Sequence, residues 1–371
     1  MASRRGFLTA AAAATGVVFC SCGLLDAARA QAPGPAQGQA AAARRLPVTV
    51  AGRRVKTIDV HAHCHFRDVV PLIGGNPAPL LPPVRGAEEA FIEVERRFAA
   101  MDAQGVDMEV LSINPFWYGR DRDLAAQIVK LQNEKLAELC AAHPDRFAAF
   151  ASLTLQAPDL AVQELETAVR RQGLKGAAIG GNVAGVDFSD PKFHPVWAKA
   201  EELGAALFIH PQGTPELNRR FAGNGWLSNA VGNPLDTTIA LSKLIFEGTL
   251  DRFPGLKVVA AHGGGYLASY ADRSDHACTV GPAGCNPNIT LKKRPTEYLK
   301  QMYFDSLIFT PEAIRHLAAQ VGPGQIVLGS DYPYPWQLHP VDHIFACDFL
   351  DDGQKAAILG GTAARVLNIS A

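Results

Sequence analysis

Val55-Lys56-Thr57-Ile58-Asp59-Val60-His61-Ala62-His63 is the stretch that decides how this chain is read. A short run of apolar and β-branched residues ends in Asp59, and two histidines follow with one residue between them. Residues i and i+2 of an extended chain point the same way, so both imidazoles can reach one ion. Three later apolar runs also finish on a possible ligand or acid/base group. They are ALFIHP, ending at His210, KVVAAHGGG, at His262, and IVLGSDYP, at Asp331.

From this stretch outward a pattern repeats. Short β-branched or apolar runs alternate with longer segments of helical period. The runs are VKTIDV from Val55, VDMEVLSI from Val106, FAAFASL from Phe147 and LKGAAIG from Leu174. ALFIH from Ala206, KVVAAH from Lys257, MYFDS from Met302 and IVLGSD from Ile326 complete the set. Between them the spacing predicts helices over Glu88–Gln104, Asp121–Ala142, Pro158–Gln172, Pro191–Leu203, Pro234–Arg252 and Pro311–Gln320. Pro191 and Pro311 sit where a first helical turn tolerates proline. Eight strands alternating with helices match a single-domain α/β fold, the (β/α)8 TIM barrel. A doubly wound open sheet is the alternative, but no GxGxxG follows the first strand.

The ends of the chain frame this domain. Ser3-Arg4-Arg5-Gly6-Phe7-Leu8 resembles a twin-arginine export signal. An Ala-rich apolar stretch and a small-x-small site, Ala28-Arg29-Ala30, follow it. Residues 1–30 therefore read as a cleavable signal peptide, which implies a periplasmic or exported protein. An N-terminal membrane anchor is the competing reading, but the apolar stretch is short and Asp26 and Arg29 close it. No other stretch suits a bilayer, so no stable membrane insertion is expected after cleavage. Residues 31–50 are rich in Ala, Gln, Pro and Gly and read as a flexible leader. The barrel is assigned to 51–371. The chain has 371 residues, a net charge of −1 and 48% hydrophobic residues. That balance argues against a nucleic-acid-binding surface and against global disorder. Signal cleavage leaves five cysteines, an odd number that makes no disulfide framework. Cys278 and Cys285 flank a Gly/Pro loop, and both pairing and two free thiols are compatible with that spacing.

In a barrel of this kind the active site lies at the C-terminal ends of the strands. His61, His63, His210, His262, Asp305 and Asp331 would then share one rim. A lone strand-end histidine is usually structural, but three imidazoles and a carboxylate together form a coherent site for Zn²⁺ or a similar borderline cation. Phe116, Trp117 and Tyr118 follow the second strand and would either wall an aromatic pocket or pack beneath a loop. His65 is read as a loop residue. His143 sits where a helix ends. His194, His276, His316, His339 and His343 read as surface or packing residues.

The chain resembles the amidohydrolase superfamily, in the branch of aminocarboxymuconate-semialdehyde decarboxylase and related aromatic acid decarboxylases. The segments that carry the resemblance are IDVHAH, MDAQGVDMEVLSINP, PDRFAAFASLTLQAPDLAVQELE, GAAIGGN, FHPVWAKAEELGAALFIHP, LDRFPGLKVVAAHGGG, MYFDSLIFTPEAIRHL and VLGSDYPYPW. The resemblance implies that His61, His63, His210 and Asp331 hold one divalent metal, for which the donor set favours zinc, with manganese the alternative. It makes His262 the acid/base residue beside the metal and lets Asp331 also shuttle a proton to the substrate carbon. It places Arg273 where relatives reach a neighbouring subunit's substrate, which implies a homodimer or higher homo-oligomer. It offers Arg85 as a partner for a substrate carboxylate. Binuclear hydrolases of the superfamily bridge two metals with a modified lysine at the end of strand four. Here that strand ends in Gly180-Gly181-Asn182, and Lys175 lies at its wrong end. The expectation is metal-dependent decarboxylation of a small aromatic or unsaturated carboxylic acid. Hydrolysis of a lactone or amide at the same metal site is the enzymatic alternative, and a periplasmic metal- or ligand-binding protein is the non-enzymatic one.

Overall fold

A computed structural model of the chain describes residues 47–223 and 226–370. The expected signal peptide and all but the last residues of the expected leader lie outside them. Packed residues occur a little before the expected boundary at residue 51. Thr49–Val50 (β1) and Arg53–Arg54 (β2) form an antiparallel pair, and Val48 and Val50 are buried.

Each of the eight apolar runs contains a strand. They are Ile58–His63 (β3), Met108–Ser112 (β4), Phe147–Ala149 (β5), Gly176–Ile179 (β6), Ala206–Ile209 (β7), Lys257–Ala260 (β8), Tyr303–Asp305 (β9) and Ile326–Val327 (β10). Parallel ladders join β3 to β5 and β6 to β10 in sequence order. Two seams close the ring. The Ala151 N–H donates to Gly176 O at 2.8 Å, and the Val60 N–H donates to Leu328 O at 2.9 Å. The result is a (β/α)8 barrel with no free edge.

The helices follow the sequence pattern with local corrections. Asp121 caps Arg122–Ala142 and Thr310 caps Pro311–Val321, each side chain accepting a backbone N–H from the first turn. The first helix starts at Val94 rather than Glu88. Phe91 is held in a backbone bridge to His65, which keeps the chain extended there. The fifth breaks after Phe246, where Gly248 adopts φ +70°, and resumes at Thr249–Arg252.

The barrel interior is one apolar layer in which Ile58, Val60, Met108, Val110, Phe150, Phe208 and Val259 meet. The helix Thr362–Leu367 plugs its lower end with Ala363, Val366 and Leu367. Gly360 is required for that plug, because a Cβ there would lie 1.9 Å from Lys56 O. Polar side chains gather at the other end.

A register slip in β3 makes that division possible. Asp59 stands opposite Glu109 and Ala62 opposite Leu111, so Val60 and His61 together face one partner residue. This is a β-bulge, which re-aims a side chain beside a functional site. Val60 packs in the interior layer, and the next ring, His61, also meets Phe208 at 5.1 Å. Strict alternation would have sent His61 outward.

A buried ion pair braces the same strand. Arg97 bonds Glu109, donates to His63 O at 2.9 Å and lies 4.8 Å from the Tyr332 ring centroid. Removing one partner of such a pair leaves an uncompensated buried charge, at a cost of about 3–5 kcal/mol. Glu109→Gln should therefore lower the urea midpoint markedly, and Arg97→Met with Glu109→Leu should lower it less. An unchanged midpoint in Glu109→Gln would remove this pair from the framework.

Candidate metal centre

Three strand ends deliver the ligands. His61 and His63 close β3, His210 follows β7 and Asp331 follows β10, and all four are buried. Their ligating atoms lie within 4.8 Å of one another. His61 Nε2 and His63 Nε2 are 3.1 Å apart, and Asp331 Oδ1 is 3.2 Å from the first and 2.8 Å from the second. The His210 ring centroid lies 4.5 Å from that of His63.

Hydrogen bonds behind the rings decide which atoms are free to ligate. The Ser112 hydroxyl donates to Ala62 O, so its lone pair accepts from His63 Nδ1 at 3.1 Å. His61 Nδ1 donates to Asp305 Oδ2 at 2.6 Å. Each imidazole thus turns its Nε2 lone pair toward the other. Two lone pairs at 3.1 Å, with a carboxylate oxygen beside them, call for a cation between them. A tetrahedral zinc site sets its donors roughly 3.3 Å apart, from Zn–N bonds of about 2.0 Å. Asp331 Oδ1 and His210 Nδ1 are buried without a hydrogen-bond partner, which also fits a ligand set. The residues present fit one divalent ion.

Protonation agrees with this assignment. Burial drives the pKa of His63 and His210 down, and the neighbouring imidazoles push the same way, so both are neutral. Burial opposes ionisation of Asp331, but His61, His262 and His63 outweigh it and hold its carboxyl well below the usual range. Burial likewise opposes a proton on His61, yet Asp331 and Asp305 lift its pKa to about 10. The potential that favours this proton favours a divalent ion at the same point, and the ion takes the proton's place.

His262 stands beside the ligands. Its Nε2 is 3.8 Å from Asp331 Oδ2, and its side chain is 18% exposed where Asp331 is 6%. Its backbone N–H donates to Asp305 Oδ2, and that of Gly263 to Asp305 Oδ1, each at 2.9 Å. Both His262 (φ +55°) and Asp331 (φ +67°) occupy the left-handed region, backbone strain of a kind that collects at functional sites.

The pocket above has a volume of about 590 Å³. His210, His262 and Asp331 form its floor, and Leu80, Val84, Phe116, Leu307, Ile308 and Trp336 are among its apolar walls. Of the aromatic triplet, only Phe116 reaches it. Trp117 is buried and donates its indole N–H to Leu153 O, while Tyr118 packs under Gly180. His65 is buried and also lines the pocket. Arg85 is exposed and outside the wall, although its neighbour Val84 is part of it. Arg273 is exposed on the helix Ala271–Val280, over the Tyr270 ring and outside this pocket. Cys278 and Cys285 are joined in a disulfide, which settles that open alternative.

β6 runs into Gly180 and Gly181 rather than a lysine. A Cβ on Gly181 would lie 2.4 Å from Asp236 Oδ2. Asp236 fills that space because it accepts the N–H groups of Gln212 and Gly213 and an Asn182 side-chain N–H. A side chain at Gly181 would collide with this carboxylate.

The sequence pattern of the amidohydrolase family matches residues 58–369. The chain belongs to that family. This amidohydrolase is 33% identical over 277 residues to 2-amino-3-carboxymuconate-6-semialdehyde decarboxylase of Dictyostelium discoideum, across 74% of this chain and 76% of the relative. Among solved structures it is similar to 2,6-dihydroxybenzoate decarboxylase complexed with 2,6-dihydroxybenzoate, at 25% identity and a TM-score of 0.75 over 85% of this chain and 99% of that one. A second, 5-carboxyvanillate decarboxylase of Novosphingobium aromaticivorans with bound manganese, shares the fold at 23% identity and a TM-score of 0.77, over 85% and 97% of the two chains.

Sequence reasoning placed Asp305 on the rim without a role, and the structure makes it the orienter of His61. Ser112 and Asp236 were missed. Neither carries a motif, and only contacts across strands reveal them. Ser112→Ala removes the acceptor that fixes the His63 tautomer. Loss of such a supporting bond typically weakens metal binding about 10- to 100-fold. Competition with a chelator should show that loss, and unchanged affinity would contradict the tautomer assignment.

Proposed function

We propose that this amidohydrolase is a metal-dependent carboxy-lyase that removes CO₂ from a small aromatic or unsaturated carboxylic acid. The observation that carries the reading is the converging set of His61, His63, His210 and Asp331 at the floor of a largely apolar pocket. The kinship with decarboxylases supports it. The absence of a lysine at the end of β6 favours one metal over the two of a binuclear hydrolase. Zinc is the ion assigned from the nitrogen-rich donor set, with manganese the alternative because a neighbour holds it.

When bound, the divalent ion supplies Lewis-acid polarisation of the substrate. The chain's own residues do the rest. Phe116, Leu80 and Leu307 hold the ring and exclude water from it. When the C–C bond breaks, CO₂ leaves and the electron pair stays on the ring carbon, which must take a proton. His262 and Asp331, facing each other at 3.8 Å, are the pair that holds and delivers it.

Two further assignments belong to this reading. The twin-arginine pattern at Ser3–Leu8 and the site at Ala30 support export to the periplasm. The exposed Arg273 supports a homo-oligomer in which it meets a neighbouring copy's substrate. Arg85 is assigned no contact within the pocket.

His262→Ala should lower kcat by about 10²- to 10⁴-fold on whichever acid proves a substrate. Metal content, measured by elemental analysis, should stay the same. Full activity in His262→Ala would overturn its role. The reaction class is tested by CO₂ release from hydroxybenzoates and unsaturated acids, set against hydrolysis of a lactone panel. Turnover of lactones alone would replace the carboxy-lyase reading with a hydrolase.

A further inference from the structure

The metal pocket does not end at its own walls. A second cavity of about 500 Å³ adjoins it. Pro82, Val84, Gln212, Asn229 and Asn233 line both, so the two volumes share one partition of five residues. Together they exceed what a single-ring acid needs, since pockets of about 300–1,000 Å³ enclose drug-sized ligands.

The chemistry of the outer cavity is specific. Pro83, Phe221 and Trp226 supply apolar and aromatic surface. Phe221 is seated against Gly232, where a Cβ would stand 3.1 Å from its ring. Trp226 is half exposed and meets Trp336, a wall residue of the metal pocket, at 6.1 Å between ring centroids. An aromatic edge therefore runs from one cavity to the other. Thr214, Ser228, Gln212, Asn229 and Asn233 add hydroxyl and amide groups, and the Thr214 hydroxyl is buried without a partner. Among the described residues, no lysine, arginine, aspartate or glutamate lines this cavity.

We propose that the outer cavity is a subsite for an uncharged second aromatic ring bearing hydroxyl or ether oxygens, attached to the acid whose carboxyl group lies at the metal. The aromatic and proline surfaces take the faces of that ring. The amides and hydroxyls take its oxygens. A second carboxylate is rejected, because the wall offers it no cation and burial of an unpaired charge is costly. This proposal rests on the carboxy-lyase reading and narrows its substrate.

The test is calorimetric titration of the zinc-loaded enzyme with three hydroxybenzoates. One is unsubstituted, one carries a hydroxyphenyl ring and one a carboxyphenyl ring at the same carbon. Burying an aromatic ring should tighten binding at least tenfold in the hydroxyphenyl acid, and the carboxyphenyl acid should lose that gain. Phe221→Ala should erase most of the gain, with metal content as the control for folding. Equal affinity for the one-ring and hydroxyphenyl acids would overturn the proposal, as would tight binding of the carboxyphenyl acid or an undiminished gain in Phe221→Ala. CO₂ release is followed in the same samples. A gain in binding without CO₂ from any acid supports the subsite and overturns the carboxy-lyase reading instead.

Discussion

The Asp305 carboxylate is the constraint on which the rest of the site depends. One of its oxygens accepts His61 Nδ1 and the His262 N–H, and the other accepts the N–H groups of Gly263 and Leu307. Burial opposes its ionisation, but these bonds and the neighbouring imidazoles of His61 and His262 hold its carboxyl below the usual range. A single side chain at the end of β9 therefore fixes the tautomer of His61 on β3 and the backbone of His262 after β8. Such supporting groups determine how basic a ligand is and where it points.

The cost of gathering so many polar groups is met by the barrel around them. Below the site, Val60, Phe150, Phe208 and Val259 form a dry layer that raises the strength of every charge interaction above it. The bulge in β3 lets one strand serve both layers, and the Arg97–Glu109 pair anchors it from behind. The left-handed backbone at His262 and Asp331 is held in place by these same contacts.

Much of this was legible in the sequence because it is periodic or terminal. Eight apolar runs gave eight strands, and a strand end is where a barrel exposes chemistry, so His61, His63, His210 and Asp331 could be picked out. What stayed hidden depends on registry between strands. Strict alternation already put His61 and His63 on one face, but the slip that turns both inward is a property of the β3–β4 pairing. The role of Ser112 requires that pairing too. Gly181 looked like a simple absence, and the carboxylate that a side chain there would strike, Asp236, lies 55 residues away in the chain. The Pro-rich wall from Leu80 to Val84 has no period to read, and there Val84 turns in while Arg85 turns to solvent.

The geometry calls for one divalent ion held by four groups from three strands. Anomalous diffraction from crystals of the metal-loaded enzyme, recorded at the metal's absorption edge, tests it most directly. A single peak is expected within bonding distance of His61 Nε2, His63 Nε2, a ring nitrogen of His210 and the Asp331 carboxylate. Two peaks in the barrel mouth, or one that leaves His210 or Asp331 out of reach, would contradict it.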